Sequence, residues 1–156
     1  MEATTTSDVV FSDDRISEFG LMIEANRRLI RSVETHLREV HGLPMVDFEA
    51  MLRLGRSPDH QMSMSEVATQ MVLTSGGVTR LIDRLTDQGL VERVSCPSDR
   101  RVQWARLTDE GLRTAAAAVT THLQDLDEHY FSLMSDDERT TLASVLGRLR
   151  TACIEP

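Results

Sequence analysis

Lysine is absent from this chain of 156 residues, so all 17 of its basic residues are arginine. Its two cysteines are too few for a disulfide scaffold. No apolar run approaches the roughly 20 residues that cross a bilayer, and the acidic N-terminal stretch lacks the basic region of a secretory signal. These absences exclude disulfide-rich secreted and membrane-spanning classes, and they predict a cytoplasmic protein without membrane contact.

Patterns typical of enzymes are also missing. The chain has no glycine-rich phosphate loop and no recognisable nucleophile–base arrangement. Its candidate metal ligands are histidines on two predicted helices, without the tight spacing of a metal site. We therefore predict that the protein is not an enzyme and that it holds neither a cofactor nor a metal. The histidines considered are His36, His41, His122 and His129.

What the chain does contain is a helix followed at once by two short extended runs, within residues 74–108. Thr74 precedes the helix as a predicted N-cap, and Gly89 follows it at the position of a C-terminal stop. Residues 90–94 and 102–107 then read as the two strands of a hairpin. The helix has one buried face at the spacing i, i+3, i+4, i+7, which comprises Val78, Leu81, Ile82 and Leu85.

This segment is locally basic although the protein is acidic. The net charge of the chain is −8, but residues 74–108 carry six arginines and four acidic residues, a net charge of +2. The remainder therefore carries −10. Because physiological salt screens charges beyond about 8 Å, a basic surface on an acidic body still attracts phosphate.

Helices flank the segment on both sides. A long helix is predicted from Asp13 to Val40, and Pro44 opens a second. A pattern for a capping box at Ser63 begins a short third helix, which with the helix after Thr74 forms a helix-turn-helix. After the hairpin come a helix from Thr108 and a last helix that follows a second capping-box pattern, with its buried face predicted at Leu142, Val145, Leu146 and Leu149.

The outer helices carry long apolar seams, with more apolar surface than a small winged domain can cover alone. The helix after Thr108 keeps alternating spacings of 4 and 3 over three heptads, as coiled coils do. A symmetric homodimer would bury these seams and set two DNA-reading helices about 34 Å apart, opposite a pseudo-palindromic site. Asn26 interrupts the first seam, either as a register-fixing residue or as a hydrogen-bonded core asparagine. The seam after Thr108 comprises Leu112, Ala116, Val119, Leu123, Leu126, Tyr130 and Leu133.

The resulting fold prediction is a mainly α-helical protein with a small β-hairpin wing. Residues 1–11 are predicted to be a flexible tail. Residues 43–107 form a winged helix-turn-helix, and residues 12–42 and 108–156 form the dimerisation helices. We predict that the winged domain binds double-stranded DNA.

The outward residues at the start of the helix after Thr74 are candidate base contacts, because this end of a recognition helix enters the major groove. They are Ser75, Gly76, Thr79 and Arg80. Arg84, one turn further, either reaches a phosphate or forms a surface pair with Asp87. Gly76 and its neighbour Gly77 indicate either close approach to DNA or close helix packing at the turn.

The hairpin tip carries a second set of candidates. Arg100 and Arg101 are predicted to enter a narrow minor groove, where the potential is most negative, and Asp99 to orient one of them. The alternative is a solvated turn without a partner. Cys96 lies near these arginines, which would lower its thiol pKa. It is thus either a candidate redox site or an unreactive loop cysteine.

Four segments together resemble the signature of the MarR (multiple antibiotic resistance regulator) family. They are Asp83-Arg84-Leu85, residues 89–93, Asp99-Arg100-Arg101 and residues 107–111. The resemblance extends over about residues 13–152. It implies a homodimeric winged helix that binds palindromic promoter sites, usually as a repressor released by small molecules. It also implies that the recognition helix contacts DNA through Ser75, Gly76, Thr79 and Arg80, and that the wing contacts it through Arg100 or Arg101.

Other functions remain open on the sequence alone. The family's peroxide-sensing branch uses a cysteine near the N-terminus, and this chain has none before Cys96. Arg27, Arg28 and Arg31 form either part of a site for an anionic effector or a solvated helix face. The alternatives to an effector-released repressor are a winged-helix interaction module without sequence-specific DNA binding, and a redox- or metal-responsive regulator.

Overall fold

The computed structural model describes residues 11–95 and 102–152. Within them the chain forms six α-helices and three short β-strands. Two single 3₁₀ turns, Pro58–His60 and Phe131–Leu133, connect neighbouring elements. In chain order the elements are α1 (Asp14–His41), α2 (Met45–Arg56), β1 (Gln61–Ser63), α3 (Met64–Met71), α4 (Ser75–Asp87), β2 (Val91–Ser95), β3 (Gln103–Leu107), α5 (Asp109–His129) and α6 (Asp136–Ala152).

The ends of the helices follow local capping chemistry. Asp13 caps α1 by accepting from the backbone N–H of Arg15 at 3.0 Å, and Gly42 ends it in the left-handed conformation at φ 67°. The second predicted capping box is also present, since Ser135 donates its backbone N–H to Glu138 at 2.8 Å. These caps confirm the predicted outer helices to within about a residue at the ends they mark.

The helix-turn-helix is confirmed as α3 and α4. The backbone N–H of Ser63 donates to the carboxylate of Glu66 at 2.8 Å, and the N–H of Glu66 donates back to the Ser63 hydroxyl at 3.2 Å. Thr74 caps α4 by accepting from the N–H of Gly77 at 3.2 Å. Gly89 takes φ 71° beyond the end of α4, as its predicted role as a helix stop requires.

The sheet has three antiparallel strands, whereas the sequence predicted a two-stranded hairpin. The order is β1-β3-β2, with Met62 opposite Ala105 and Val94 opposite Trp104. The prediction missed β1 because three residues are too few to show a period-2 pattern. The extra strand ties the start of α3 to the wing.

A single hydrophobic core joins the winged domain to parts of α1 and α5. It centres on fully buried side chains of α2 and α4, among them Phe48, Met51, Leu54, Ile82 and Leu85. Helix α5 packs on both α1 and α2. Its buried positions, Gly111, Ala115, Ala118 and Asp125, lie beside the predicted apolar seam instead of on it.

The predicted burial of α6 is wrong for a single chain. None of its residues is buried, and Leu146 and Leu149 are each 45% exposed. Phe19 on α1 is 62% exposed, and Asn26 is exposed too, so Asn26 is not a core asparagine within one chain. The reason is geometric: within residues 11–95 and 102–152, no element covers these faces. No helix in residues 11–95 and 102–152 has the length and apolarity of a membrane span.

Candidate nucleic-acid interface

Helix α4 presents two chemically different faces. Its four predicted apolar residues are all buried, with Ile82 and Leu85 fully so. On the opposite side Ser75, Gly76, Thr79 and Arg80 are exposed. The helix is therefore held by one face, and the N-terminal part of the other face is free to meet a partner.

Gly76 and Gly77 differ in their surroundings. A Cβ built on Gly76 would meet nothing within 4 Å, whereas one on Gly77 would lie 3.3 Å from the Oγ1 of Thr74, the cap of the same helix. Close packing of another helix therefore does not explain Gly76. The space beside it is open on the face that carries Arg80.

Arg84 is committed to a contact inside the protein. Its guanidinium donates from Nε to Oδ2 of Asp47 at 3.0 Å, and its Nη2 pairs with Oδ1 of the same carboxylate. Asp47, in the first turn of α2, is fully buried. This hydrogen bonding raises the pKa of Arg84. The predicted alternative of a pair with Asp87 is replaced by a bidentate pair that joins α4 to α2.

The other three described arginines of residues 74–108 differ in their partners: two pair with an acidic residue and one does not. Arg93 pairs with Asp83 at 2.6 Å, and Arg106 with Glu92 at 2.9 Å. Arg80 is the one arginine of the described part of this segment with no acidic partner. No paired carboxylate offsets its charge, so its guanidinium is available to an external anion.

Sequence and structure comparisons agree with this geometry. The sequence model of the MarR family matches residues 41–102, the stretch from the end of α1 to the start of β3. The MarR family regulator AbsC of Streptomyces coelicolor superposes with a TM-score of 0.86 at 29% identity, over 91% of this chain and 95% of AbsC. The chain is similar to the MarR family in sequence over residues 41–102 and in fold over most of its length.

Two further relatives extend the comparison. The HTH-type transcriptional regulator MhqR of Bacillus subtilis is 27% identical over 125 residues, which cover 78% of this chain and 84% of MhqR. Sco3205 of Streptomyces coelicolor, a MarR family regulator solved in complex with DNA, superposes with a TM-score of 0.86 at 26% identity, over 93% of this chain and 94% of Sco3205. Our chain is thus a transcriptional regulator with a winged helix.

The tip of the wing falls outside the described residues. Cys96, Asp99, Arg100 and Arg101 all belong to the segment 96–101, so their predicted roles stay predictions. The strands that carry the tip are described, and Ser95 faces Gln103 at its base.

Two histidines of α1 contact α5, and one histidine of α5 contacts α2. Nδ1 of His36 lies 2.6 Å from Oδ1 of Asp125, and Nε2 of His41 lies 2.7 Å from Oγ1 of Thr121. His122 contacts the Phe48 ring edge-on, with ring centroids 5.0 Å apart. Burial lowers the pKa of His122, against the opposing charges of nearby acidic residues. Across residues 11–95 and 102–152, no three potential ligands gather at one point.

An apolar groove runs between α1, α5 and α6. It has a volume of about 980 Å³. The seam residues Leu126 and Leu133 of the α5 side line it, opposite Ile23 of α1 and Leu142 of α6. A second depression on α1, of about 740 Å³, contains all three arginines considered for an anionic effector, although Arg28 is paired with Glu24 at 2.6 Å.

Proposed function

We propose that this protein is a homodimeric, DNA-binding repressor of the MarR family, which a small-molecule effector releases from a pseudo-palindromic promoter site. The observation that carries the proposal is the free N-terminal face of α4, where Arg80 has no acidic partner. The related regulator Sco3205, solved with DNA, supports the choice of ligand. A repressor acts in the cytoplasm, and we assign the chain no catalytic role.

In this proposal the candidate residues make different contacts with DNA or with the protein. Ser75, Gly76, Thr79 and Arg80 meet base edges in the major groove, where a bidentate arginine–guanine contact contributes about 1–3 kcal/mol of discrimination. Arg100 and Arg101 reach the minor groove, and Asp99 orients one of them. We assign Arg84 a positioning role, because its guanidinium holds α4 on Asp47.

The homodimer follows from surfaces that one chain leaves uncovered. Phe19 of α1 is 62% exposed and Leu133 is 76% exposed, and large contiguous apolar surfaces on a protein mark interaction sites. A second copy offers the same apolar helices, so a two-fold interface is self-complementary. Light scattering should give twice the chain mass.

DNA binding is tested on a duplex that the wild-type protein selects from a randomised pool. We expect affinity for this duplex to fall steeply as salt rises, because bound phosphates release counterions. Arg80→Ala should relax base preference at one position of each half-site. Arg100→Ala should weaken binding to all sequences alike. Arg113→Ala, which removes an exposed arginine paired within α5 to Glu110, is the matched control and should change neither.

One outcome favours a second candidate function. The charge of −8, together with the acidic partners of Arg84, Arg93 and Arg106, would also suit a winged-helix module that binds protein instead of DNA. If the wild type selects no duplex and is not retained on heparin at low salt, this module is the better description. If it does bind, footprints repeated with phenolic acids, drugs, zinc and peroxide identify the class of effector and test Cys96 as a redox site.

A further inference from the structure

Val72, in the turn between α3 and α4, has an unfavourable backbone conformation. Its φ is 53° and its ψ is 44°, in the left-handed region. Left-handed backbone costs an L-residue roughly 1–2 kcal/mol, and a β-branched side chain makes it a clear outlier. The other described non-glycine residues with positive φ are Asp59 and His60, types that tolerate it better.

The turn itself imposes this conformation. The backbone N–H of Val72 donates to the carbonyl of Thr69 at 3.3 Å, and that of Leu73 donates to Ala68 at 3.0 Å. Leu73 then packs against the hydrophobic core. Such bonds close a helix through one left-handed residue, which is usually glycine or asparagine. Local structure therefore calls for glycine where this chain has valine.

Burial does not offset the cost. Val72 is 91% exposed, the highest value among the exposed large hydrophobic residues of the described chain. Its two methyl groups face solvent, so neither the core nor the backbone accounts for a branched apolar side chain. Residues held in unfavourable conformations without internal compensation cluster at functional sites.

The location of Val72 indicates which partner its methyl groups meet. It lies two residues before Thr74, so its Cα is within about 7 Å of the Cα of this cap, at the end of α4 that carries Ser75 and Gly76. Apolar side chains read one base feature in the major groove, the C5-methyl group of thymine. We propose that Val72 is a specificity-determining residue that packs against a thymine methyl at the edge of each half-site. This inference rests on the proposed DNA binding.

The test removes the methyl groups from each side of the contact: one from the thymine and the two γ-methyl groups of Val72 from the protein. In the duplex selected by the wild type, each thymine of a half-site is replaced in turn by deoxyuridine, which lacks only the C5-methyl. We expect one replacement to weaken wild-type binding about fourfold, the equivalent of one buried methyl group. Val72→Ala changes both half-sites at once, so it should bind the thymine duplex about fourfold more weakly per half-site, about 16-fold in all, and should be insensitive to that same replacement.

Two variants serve as controls. Val72→Gly should unfold at a higher temperature than the wild type, since glycine accepts positive φ, and should also lose sensitivity to the replacement. Thus a folding defect cannot explain the result. Val46→Ala, which truncates an exposed valine of α2, should keep the wild-type response to deoxyuridine.

Each remaining outcome has a distinct meaning. A wild type that selects no duplex overturns the proposed function. A selective wild type whose response to deoxyuridine survives in Val72→Ala overturns the assignment of Val72. Equal weakening of Val72→Ala on every duplex also overturns it and points to a sugar–phosphate contact. Unchanged DNA binding with altered transcription in a purified system overturns it in favour of a protein partner.

Discussion

The winged domain and the outer helices have similar amphipathic patterns, but within one chain their apolar faces differ in burial. In α4 all four predicted core residues are at most 2% exposed. In α6 no residue is buried, and Phe19 of α1 is 62% exposed. An apolar stripe therefore shows that a helix face will be covered, but not whether the same chain covers it. The core of the winged domain is covered within one chain, with parts of α1 and α5, whereas the outer helices leave apolar faces exposed that, in our proposal, a second copy covers.

The largest effect is expected from a substitution at the junction between the winged domain and α5. A Cβ on Gly111 would lie 1.9 Å from the backbone oxygen of Leu90, and the N–H of Thr108 donates to that same oxygen at 3.1 Å. We expect Gly111→Ala to lower the free energy of unfolding by about 3 kcal/mol or more, as overpacking against backbone does.

Its matched control is Gly76→Ala, at a helical glycine with open space beside it. We expect this variant to gain about 0.5–1 kcal/mol from better helix propensity. Urea unfolding measures both variants. Equal stability of the two would contradict the contact at Gly111.

A smaller loss is expected from the ion pair inside the winged domain. Asp47→Ala leaves Arg84 without its partner, and because the Arg84 side chain is 44% exposed, water compensates part of the loss. We expect a decrease of about 2–3 kcal/mol in the free energy of unfolding, with weaker binding to the selected duplex. Asp87→Ala should change stability by less than about 0.5 kcal/mol. A larger loss of stability in Asp87→Ala than in Asp47→Ala would indicate that Arg84 pairs with Asp87 instead.

The ion pair also shows what sequence reasoning reached and where it stopped. Caps at Thr74 and Ser63, the stop at Gly89 and the order of helices were all predicted, because they depend on neighbours within a few residues. Arg84 and Asp47 lie 37 positions apart, and no local pattern connects them. The strand β1 was missed because it is too short to show a period-2 pattern, and its pairing with β3 is again a long-range contact that no local pattern reveals.

A third prediction sharpens the contrast on the side of the outer helices. Phe19→Ser removes apolar surface that is exposed in one chain and, in our proposal, buried in the dimer. We expect a loss of about 1–2 kcal/mol per chain in dimer stability, seen as a lower unfolding temperature that depends more strongly on protein concentration. Val46→Ser, at an exposed valine of the winged domain, is the control. A wild-type unfolding temperature independent of concentration would argue against the dimer.

The smallest effect concerns pH at His122, where α5 packs on Phe48 of α2. Burial lowers the pKa of His122 below its ordinary value of 6.5. The unfolded chain therefore binds this proton more readily, so the stabilisation is complete above pH 6.5 and is lost as the pH falls below it. His122→Gln should reduce the loss of stability between pH 7.5 and pH 5.5 in urea titrations. An unchanged slope would assign that loss to other groups.

The open space beside Gly76 has an evolutionary consequence. A substitution there meets no neighbouring atom within 4 Å, and almost any residue other than proline improves helix propensity over glycine. Drift at this position is therefore free of structural cost and is restrained only by what the helix binds. In our proposal Gly76 meets base edges, so after a gene duplication a single codon change there would let one copy acquire new target genes while both copies keep the same fold.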